Sequence, residues 1–406
     1  MKRLLIPTLI LGILVSGIVS LLHAYGVLFR AEFAIAEFVS HHSVVTRLVA
    51  DRWQYLFVVV LAFGVAWLTL AGARRGWAWW LIAILLIELV GVSFVCALYH
   101  VFFQPLPSIL AIALSSVFGY GYYLAARGSR ARLAAEMFSA HLSPQQLDRL
   151  VGGDFALASP ATAHEATVVV CDIANKHELA EDCAPETIAR MLDRFVRFAR
   201  DVFLKEGAYV ESADGEGVVA IFGFPIDDAG HAEVAAGTAL HLLEAFGELR
   251  KSASDLFENS KLHLGLSSGT IVAARLQNDH QPEIVPIGEP FELARRFCIA
   301  NRVYGSCILM GPQTFGLVEK ATIARPIDFL GGTTSRERLE IYELLSLAKT
   351  AKAEDVMRRD NFWNGVVYYR EKRWEEAYAE FQKSWGEKGY DDAPLQLYLR
   401  RLEPLV

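Results

Sequence analysis

The sequence has few cysteines, and none of them are paired at redox or metal-binding spacing. The five are Cys96, Cys171, Cys183, Cys298 and Cys307, and no two form a C-x-x-C motif. This pattern favours neither a disulfide framework nor a zinc site. A basic footprint for nucleic acid is also missing, because the net charge is −7 and the polar two thirds of the chain are acidic to neutral. Disulfide-rich secreted proteins and nucleic-acid-binding proteins are therefore disfavoured.

Apolar sequence is in excess, at 53% of 406 residues. This fraction is above that of ordinary soluble domains, and the excess lies at the N-terminal end. Four segments there are long and apolar enough to cross a bilayer. They are Leu4–Leu22, with an uncharged run continuing to Phe29, then Tyr55–Ala73, Trp77–Leu98 and Leu106–Ala126. We predict a transmembrane region of four spans over residues 1–126, with membrane lipid as its partner.

The basic residues between these segments predict their orientation. Three clusters occur: Lys2 and Arg3 before the first span, Arg74 and Arg75 between the second and third, and Arg127, Arg130 and Arg132 after the fourth. With four crossings, all three clusters fall on one side of the membrane, which the positive-inside rule makes cytoplasmic. Everything after Arg127 is then expected in the cytosol.

Two details of the membrane region leave alternatives open. The first span can instead be a cleaved signal peptide, although its apolar run is longer than a typical one. Glu88 in the third span can be a functional intramembrane acid or can pair with a polar group of a neighbouring span. The outer segment Arg30–Gln54 is too short for a folded sensor domain of its own.

The cytosolic part is predicted to begin with a helical connector at 127–153. Arg130–Met137 continues the fourth span, and Ser143-Pro144 starts a new helix with a cap and a first-turn proline. The α+β domain that follows, at 154–345, should have helices packed on a mostly antiparallel sheet. Its strands are Ala166–Cys171, Tyr209–Val210, Val218–Phe222, Leu262–Leu266, Thr270–Leu276, Glu283–Ile287 and Cys307–Met310, and its helices are Pro185–Lys205, His231–Leu249 and Pro290–Val303.

The tail, at 354–406, has a different pattern. Asn361–Arg370 and Trp374–Trp385 are amphipathic helices that follow much of a tetratricopeptide repeat, including its A-x3-F element at Ala377 and Phe381. A single repeat cannot bury its own apolar face. We therefore expect the tail to pack on the preceding domain or on a partner.

Two acids mark the candidate site. Asp172 follows the apolar strand Ala166–Cys171, and Glu216 lies in an Asp-Gly-Glu-Gly turn between two apolar arms. If the strand pairs beside that hairpin, the two carboxylates face each other at one sheet edge. Such a pair suits Mg²⁺ and a phosphate substrate. The alternative is a solvated acidic turn.

Four motifs together resemble those of class III adenylate and guanylate cyclases, over about Ala166 to Val318. They are Val170-Cys-Asp-Ile173, Gly215-Glu-Gly-Val-Val-Ala-Ile-Phe-Gly223, Gly265-Leu-Ser-Ser-Gly269 and Ile287-Gly-Glu-Pro-Phe-Glu-Leu-Ala-Arg-Arg296, in the family's order. The resemblance implies a ferredoxin-like cyclase domain. The membrane region and tail resemble those of bacterial membrane-bound cyclases with a tetratricopeptide-like unit, which implies the bacterial inner (cytoplasmic) membrane.

The resemblance also implies a chemistry. Two Mg²⁺ or Mn²⁺ ions held by two acids activate the ribose 3′-hydroxyl of ATP, or of another purine nucleotide, and pyrophosphate leaves as cyclic AMP forms. In the family the sites form between two domains arranged head to tail, so a chain with one domain implies a homodimer.

Position by position, the resemblance assigns seven residues. Asp172 and Glu216 correspond to the metal ligands, with Glu216 replacing an aspartate, and Arg296 to the transition-state arginine. Glu292 replaces the ribose-orienting asparagine, Ser212 and Glu289 replace the base-reading lysine and aspartate, and Lys176, within Asn175-Lys-His177 where the family has Gly-Phe-Thr, can supply a phosphate-facing charge.

Each assignment has a structural alternative. Asp172 can cap the following loop. Arg296 can pair with Glu292 one helical turn earlier, and Glu289 can stabilise the start of its helix through the helix dipole. Ser212 can have no chemical role.

Two functions follow from the sequence. The retained Asp172, Glu216 and Arg296 favour an active purine nucleotide cyclase with relaxed base recognition. The replacements at Ser212, Glu289 and Glu292 favour a catalytically impaired homologue that dimerises and regulates, because an added carboxylate repels a polyphosphate. A third and weaker hypothesis is a transporter-like or sensor protein in which the four spans are the functional part.

Overall fold

The structure is a computed structural model that describes residues 2–40, 47–72, 76–152, 161–277, 282–331, 338–386 and 392–405. Two compact units divide the chain, Met1–Arg130 and Ala131–Val406. The predicted cationic pair Arg74 and Arg75 lies outside the described residues. The domain boundaries proposed from the sequence stay predictions.

The first unit is helical. It contains α1 (Lys2–Ala24), α2 (Phe29–Ser40), the two-residue strand β1 (Arg47–Leu48), α3 (Asp51–Gly72), α4 (Trp77–Leu98), the two-residue strand β2 (Val101–Phe102) and the start of α5 (Pro105–Phe138). Four of these helices, α1, α3, α4 and α5, are long and apolar enough to cross a membrane. They match the four predicted segments. Many aliphatic side chains on them are exposed, Leu5, Ile6, Val60 and Ile87 among them.

Two features of this unit bear on the sequence predictions. The segment expected outside the membrane forms α2, whose Glu32 is buried with one oxygen 3.7 Å from His23 Nε2. Burial raises the pKa of the Glu32 carboxyl, while His23 lowers it. Glu88 lies on an exposed face of α4. The expected helical continuation of the fourth span is confirmed, since α5 runs without a break to Phe138.

The second unit is an α+β domain followed by a helical tail. Its elements are α6 (Pro144–Gly152), β3 (Ala161–Ile173), α7 (Lys176–Asp182), α8 (Pro185–Lys205), β4 (Tyr209–Asp214), β5 (Gly217–Phe222), α9 (His231–Ser252), α10 (Ser254–Phe257), β6 (Leu262–Gln277), β7 (Pro282–Ile287), α11 (Glu289–Tyr304), β8 (Ile308–Met310), α12 (Pro312–Val318), β9 (Thr322–Gly331), β10 (Arg338–Leu347), α13 (Ala353–Arg370), α14 (Trp374–Lys383) and α15 (Ala393–Leu402).

One sheet of eight strands forms the centre of this domain. The strand order is β4-β5-β3-β6-β8-β10-β9, and β7 pairs with β6 as well. Strands β6 and β8 are parallel, and the other pairings in the described sheet are antiparallel. The expected pairing of the first strand with the hairpin is confirmed, because Val168 lies opposite Ile221 in adjacent strands.

Strand β3 has a continuous apolar run from Val168 to Cys171 because both of its faces are covered there. Val169 and Cys171 contribute to a core with the helices α8 and α9. Val168 and Val170 contribute to a second core on the opposite face, with α6 and α11. A strand buried on both faces shows a continuous apolar run rather than alternation. Asp172 directly follows this apolar run and lies near the end of the strand, at the edge of the sheet.

Several sequence predictions need correction. The segments Leu262–Leu266 and Thr270–Leu276 are one long strand, β6, because Ser267 and Ser268 pair with β3 instead of forming a turn. The residues after Asp172 form the helix α7, where a loop was expected. The long hairpin β9–β10 was not predicted at all.

The described residues of the tail form three helices, one more than predicted. Phe362, Phe381 and Tyr398 pack against the domain residues Phe297 and Ile327 in one apolar cluster. This confirms the expectation that the tail covers its face on the preceding domain. Its relationship to a tetratricopeptide repeat stays a prediction.

Candidate functional site

The first acid of the site stands where β3 ends. Asp172 pairs in register with His263 at the start of β6, and its Oδ1 accepts a hydrogen bond from the backbone N–H of Ile173 at 2.8 Å. The side chain is about 23% exposed. This bond reaches only the adjacent, last residue of β3, so capping of the following loop stays a prediction, and Oδ2 is directed to other partners.

The second acid lies at the hairpin tip between β4 and β5. The N–H of Glu216 donates to Asp214 Oδ1 at 2.8 Å, which closes the turn. Gly217 follows with a φ of +114°, and a Cβ built there would lie 2.4 Å from the carbonyl oxygen of Cys171. The glycine is thus required for the hairpin tip to approach β3. Glu216 itself is 89% exposed.

Lys176 brings the two acids together. From the first turn of α7, its Nζ lies 2.9 Å from Asp172 Oδ2 and 3.6 Å from Glu216 Oε2. It also donates to the carbonyl oxygen of Gly215 at 2.9 Å. Its side chain is only 9% exposed. The predicted phosphate-facing charge is therefore held inside the chain by three oxygen atoms.

The electrostatics of Asp172 follow from this arrangement. Burial is the largest influence and raises the pKa of its carboxyl above the ordinary value. The hydrogen bond and charge of Lys176 lower that pKa, and the carboxylate of Glu216 raises it. The ammonium thus offsets the cost of two acids at one edge of the sheet.

The side chains present do not fit the pair of metal ions that the resemblance implies. Within the described residues, no three side chains of the His, Cys, Asp or Glu type come together as ligands. A divalent ion bonded to Asp172 Oδ2 would lie within about 5 Å of Nζ, where charges of +2 and +1 repel by roughly 7 kcal/mol at an effective dielectric constant of about 20. The two carboxylates already have a cation.

A cavity of about 480 Å³ adjoins these groups, a size in the range of small-molecule pockets. Asp172, Lys176, Ser212 and Glu216 line it, so four of the seven predicted residues share one space. Ser212 lies beside a β-bulge in β4, opposite Val219. Among the described residues, the hydroxyl of Ser212 makes no hydrogen bond to the charged groups of Asp172, Lys176 or Glu216.

The same cavity contains residues that the sequence reasoning missed. His263, Arg295, Cys298, Ile299 and Arg302 also line it. Register alone could have suggested His263, because β3 and β6 place it opposite Asp172. Burial lowers the pKa of His263 to about 4, helped by the nearby cations Lys261 and Arg302. It therefore stands in the cavity as a neutral imidazole.

The other three predicted residues are on α11, outside the lining of this cavity. Arg296 Nε donates to Glu292 Oε1 at 2.8 Å, the structural pair anticipated from the i,i+4 spacing. Glu289 and Glu292 both lie in the first turn of the helix, where an acid stabilises the helix dipole. Within one chain, Glu289, Glu292 and Arg296 therefore lie outside the cavity that contains Asp172 and Glu216.

Comparison with known proteins supports the fold of this domain. Residues 159–283 match the family model described as the adenylate and guanylate cyclase catalytic domain. The chain is 25% identical to "Adenylate cyclase 1" of Rhizobium meliloti (strain 1021) over 232 residues, which are 56% of this chain and 34% of that protein. It is 30% identical to "Soluble guanylate cyclase gcy-32" of Caenorhabditis elegans over 135 residues, 33% of this chain and 19% of that protein.

Among solved structures, the chain can be aligned with that of the adenylyl cyclase CyaB from P. aeruginosa. It is 19% identical, with a TM-score of 0.43, and the alignment covers 47% of this chain and 99% of that one. This chain matches only about a third or less of each of the two curated relatives. The comparisons therefore show that residues 159–283 are similar in sequence to an adenylate and guanylate cyclase catalytic domain.

Proposed function

We propose that this protein is a membrane-anchored class III cyclase homologue whose cyclase-type domain dimerises and acts as a regulatory or signalling module with strongly reduced nucleotide turnover. Anchoring through the four apolar helices, in the inner membrane of a bacterium with the domain in the cytosol, is part of the proposal. The length and composition of these helices support it.

One observation carries the functional part: the charged groups expected to act on a substrate are already paired with one another. Lys176 contacts both Asp172 and Glu216, and Glu292 contacts Arg296. In an active site these groups would face metal ions and the triphosphate. Here a substrate would have to break both sets of contacts before these charged groups could stabilise a transition state.

Dimerisation has separate support on α11. Ile299 and Val303, four residues apart on one face of this helix, are each 71% exposed. A contiguous exposed apolar patch marks an interaction site, and we place this aliphatic pair in the proposed interface. Since the acids of the cavity and Arg296 are apart within one chain, a second copy is the partner that can bring them together.

The test is a product assay on the full chain in detergent micelles or nanodiscs. ATP and GTP are supplied with Mg²⁺ and with Mn²⁺, and cyclic nucleotide is measured alongside the state of association. We expect dimers that form no more cyclic product than the Asp172→Ala variant does. Cyclic AMP or cyclic GMP formation that is lost in Asp172→Ala would overturn the proposal.

A second candidate function is an active, metal-dependent cyclase that makes cyclic AMP from ATP and releases pyrophosphate. The retained carboxylates of Asp172 and Glu216 beside a cavity of about 480 Å³ favour it. In that case two Mg²⁺ or Mn²⁺ ions would have to displace Lys176 from both acids. The same assay distinguishes the two functions.

A further inference from the structure

We propose that the ammonium of Lys176 is the resident cation of the Asp172–Glu216 pair, and that it keeps a latent divalent-cation site closed. The inference deepens the proposed function, because it names what replaces the metal at that site. Its prediction concerns metal binding, so it can fail while the absence of turnover still holds.

Oxygen atoms of three residues surround the ammonium nitrogen of Lys176. Nζ has two oxygens at 2.9 Å, from Asp172 and the carbonyl of Gly215, and a third at 3.6 Å from Glu216. Two of the three N–H donors of the ammonium therefore have an acceptor at hydrogen-bond distance, and Glu216 supplies a longer electrostatic contact. The carbonyl of Gly215 matters because a backbone oxygen is also a ligand that hard metal ions accept. The lysine thus satisfies a small cage of oxygen ligands.

The backbone holds Lys176 in this position from the outside. Asn175, the preceding residue, donates from Nδ2 to the carbonyl oxygen of Asn259 at 2.8 Å and accepts from the N–H of Lys261 at 3.2 Å. The N–H of Ala174 donates to the carbonyl oxygen of Lys261 at 2.9 Å. These bonds fix the start of α7 to the start of β6. The side chain of Lys176 is consequently aimed inward, and only 9% of it is exposed.

The charge balance decides what the cage accepts. The groups in direct contact, two carboxylates and one ammonium, leave one net negative charge, and Asp214, Arg295 and Arg302 line the same cavity. A divalent ion would have to share Asp172 Oδ2 with Nζ or expel the lysine from its backbone-anchored position. Replacing Lys176 by an uncharged residue leaves two carboxylates and a carbonyl facing one another. That arrangement is a site for Mg²⁺ or Mn²⁺.

The experiment compares the wild-type full chain in nanodiscs with Lys176→Met, and with Lys349→Met as a control at an exposed lysine. Mn²⁺ is titrated and followed by electron paramagnetic resonance of the free ion, and the thermal midpoint is recorded with and without about 1 mM Mn²⁺. We expect Lys176→Met to bind Mn²⁺ at least tenfold more tightly than wild type and the control. Its midpoint should rise in Mn²⁺, because a ligand that binds only the folded state stabilises it.

The double variant Asp172→Asn with Lys176→Met should lose this Mn²⁺ binding. Two results would overturn the inference: wild-type binding of Mn²⁺ that Asp172→Asn abolishes, or a folded Lys176→Met variant that binds no more Mn²⁺ than wild type. If Lys176→Met does not fold, Lys176→Gln replaces it. The wild-type titration does not depend on either variant, and Mn²⁺ binding there that Asp172→Asn abolishes would still overturn the inference. Cyclic product is assayed separately, so failure of the proposed function is recognised independently.

Discussion

Arg296 and Glu292 form an ion pair on the surface of α11, with Nε 2.8 Å from Oε1 across one helical turn. Both side chains are about half exposed, and Arg296 Nη1 also lies 3.4 Å from the carbonyl oxygen of Gly331. The resemblance gives Arg296 the task of neutralising negative charge in a transition state. In this chain, the positive charge of Arg296 is already neutralised by a carboxylate of the same helix.

Glu292→Asn therefore restores the residue that the family resemblance expects and releases the arginine. We expect no cyclic nucleotide from this variant alone, because Lys176 still occupies the two acids. The stability cost should be only roughly 0.2–0.5 kcal/mol, typical of one i,i+4 ion pair on a helix. The readouts are the product assay and the thermal midpoint.

The matched control is Asp193→Asn, which breaks the exposed pair of Asp193 and Arg197 in α8, at 2.9 Å and the same spacing. It should cost about as much stability and change nothing else. Cyclic product from Glu292→Asn, with none from Asp193→Asn, would instead favour the active cyclase.

The exposed aliphatic pair on α11 gives a test of dimerisation. Ile299→Asp places a charge in the proposed interface, so we expect the dissociation constant to rise at least tenfold, which corresponds to about 1.4 kcal/mol. Energy transfer between two labelled populations of the full chain in detergent measures it. Leu317→Asp on α12 is the control, since Leu317 is an exposed aliphatic residue as well, at 49%. Equal effects of the two variants would reject α11 as the interface.

Local signals in the sequence were sufficient for the hairpin and for three helices. The Asp-Gly-Glu-Gly turn and its apolar arms predicted the hairpin that carries Glu216, and α8 begins and ends at the predicted residues. Turn chemistry and helical periodicity are properties of short windows. The two acids could be placed together for the same reason, once strand pairing was assumed.

Other features depend on contacts that are distant in sequence. Strand β6 continues through Ser267 and Ser268 because Thr167 Oγ1 bonds to Ser268 Oγ at 2.7 Å inside the sheet. Without knowledge of the pairing with β3, the two adjacent serines were interpreted as a turn. Lys176 could be singled out as a cation near the site, but its direction depends on the hydrogen bonds between Asn175 and the segment 259–261. Those bonds connect positions more than eighty residues apart.

Gly265 tests the packing of the sheet against α11. A Cβ at this position would lie 2.0 Å from the carbonyl oxygen of Ala294 and 2.4 Å from the backbone nitrogen of Cys298. Backbone atoms in a helix cannot yield easily, so Gly265→Ala should destabilise the domain by about 3 kcal/mol or more. We expect the thermal midpoint to fall by about 5 °C or more.

The control is Gly237→Ala within α9, where a Cβ would meet no other atom within 4 Å. It should stabilise the helix by roughly 0.5–1 kcal/mol, because alanine restricts the unfolded chain and favours a helix. If Gly265→Ala were tolerated as well as Gly237→Ala, the close approach of β6 to α11 would be wrong.

His263 predicts a pH dependence of stability. Burial lowers its pKa to about 4, below the ordinary value of 6.5. Between these two values the unfolded chain takes up a proton at this residue and the folded chain does not. Stability from this group is therefore fully present above pH 6.5 and is lost as the pH falls towards 4, with a slope of at most about 1.4 kcal/mol per pH unit.

His263→Gln should flatten that slope in thermal midpoints measured from pH 7 to pH 4. His241→Gln, which removes an exposed histidine that lies 3.4 Å from Glu206, serves as the control for the loss of an imidazole. Lys261 and Arg302 remain in both variants, so the comparison isolates the imidazole. Identical slopes in His263→Gln and wild type would contradict the burial of this residue in the neutral form.

The attachment of the tail depends on a buried arginine. Arg325 on β9 donates from Nε to Glu343 at 2.7 Å, and its two terminal nitrogens donate to the carboxylate of Asp392 at 2.8 and 2.7 Å. Its guanidinium carbon lies 4.4 Å from the ring centre of Phe362 in α13. Asp392 also caps α15 by accepting from the N–H of Leu395. One cation therefore connects the sheet to the first and last helices of the tail.

Arg325→Met keeps much of the volume but leaves the buried Glu343 without its partner. Burial already raises the pKa of Glu343, and Arg325 is the group that lowers it. Loss of one partner from a buried ion pair typically costs about 3–5 kcal/mol. We expect faster hydrogen exchange in α13 and α15 and earlier proteolytic release of the tail, with the effect growing as the pH rises and Glu343 is forced to ionise.

Arg358→Met removes an arginine whose nearest carboxylates lie at 3.7 Å on the surface, and it should leave both readouts close to wild type. Unchanged exchange in the tail of Arg325→Met would show that the apolar cluster around Phe381 holds it without the arginine.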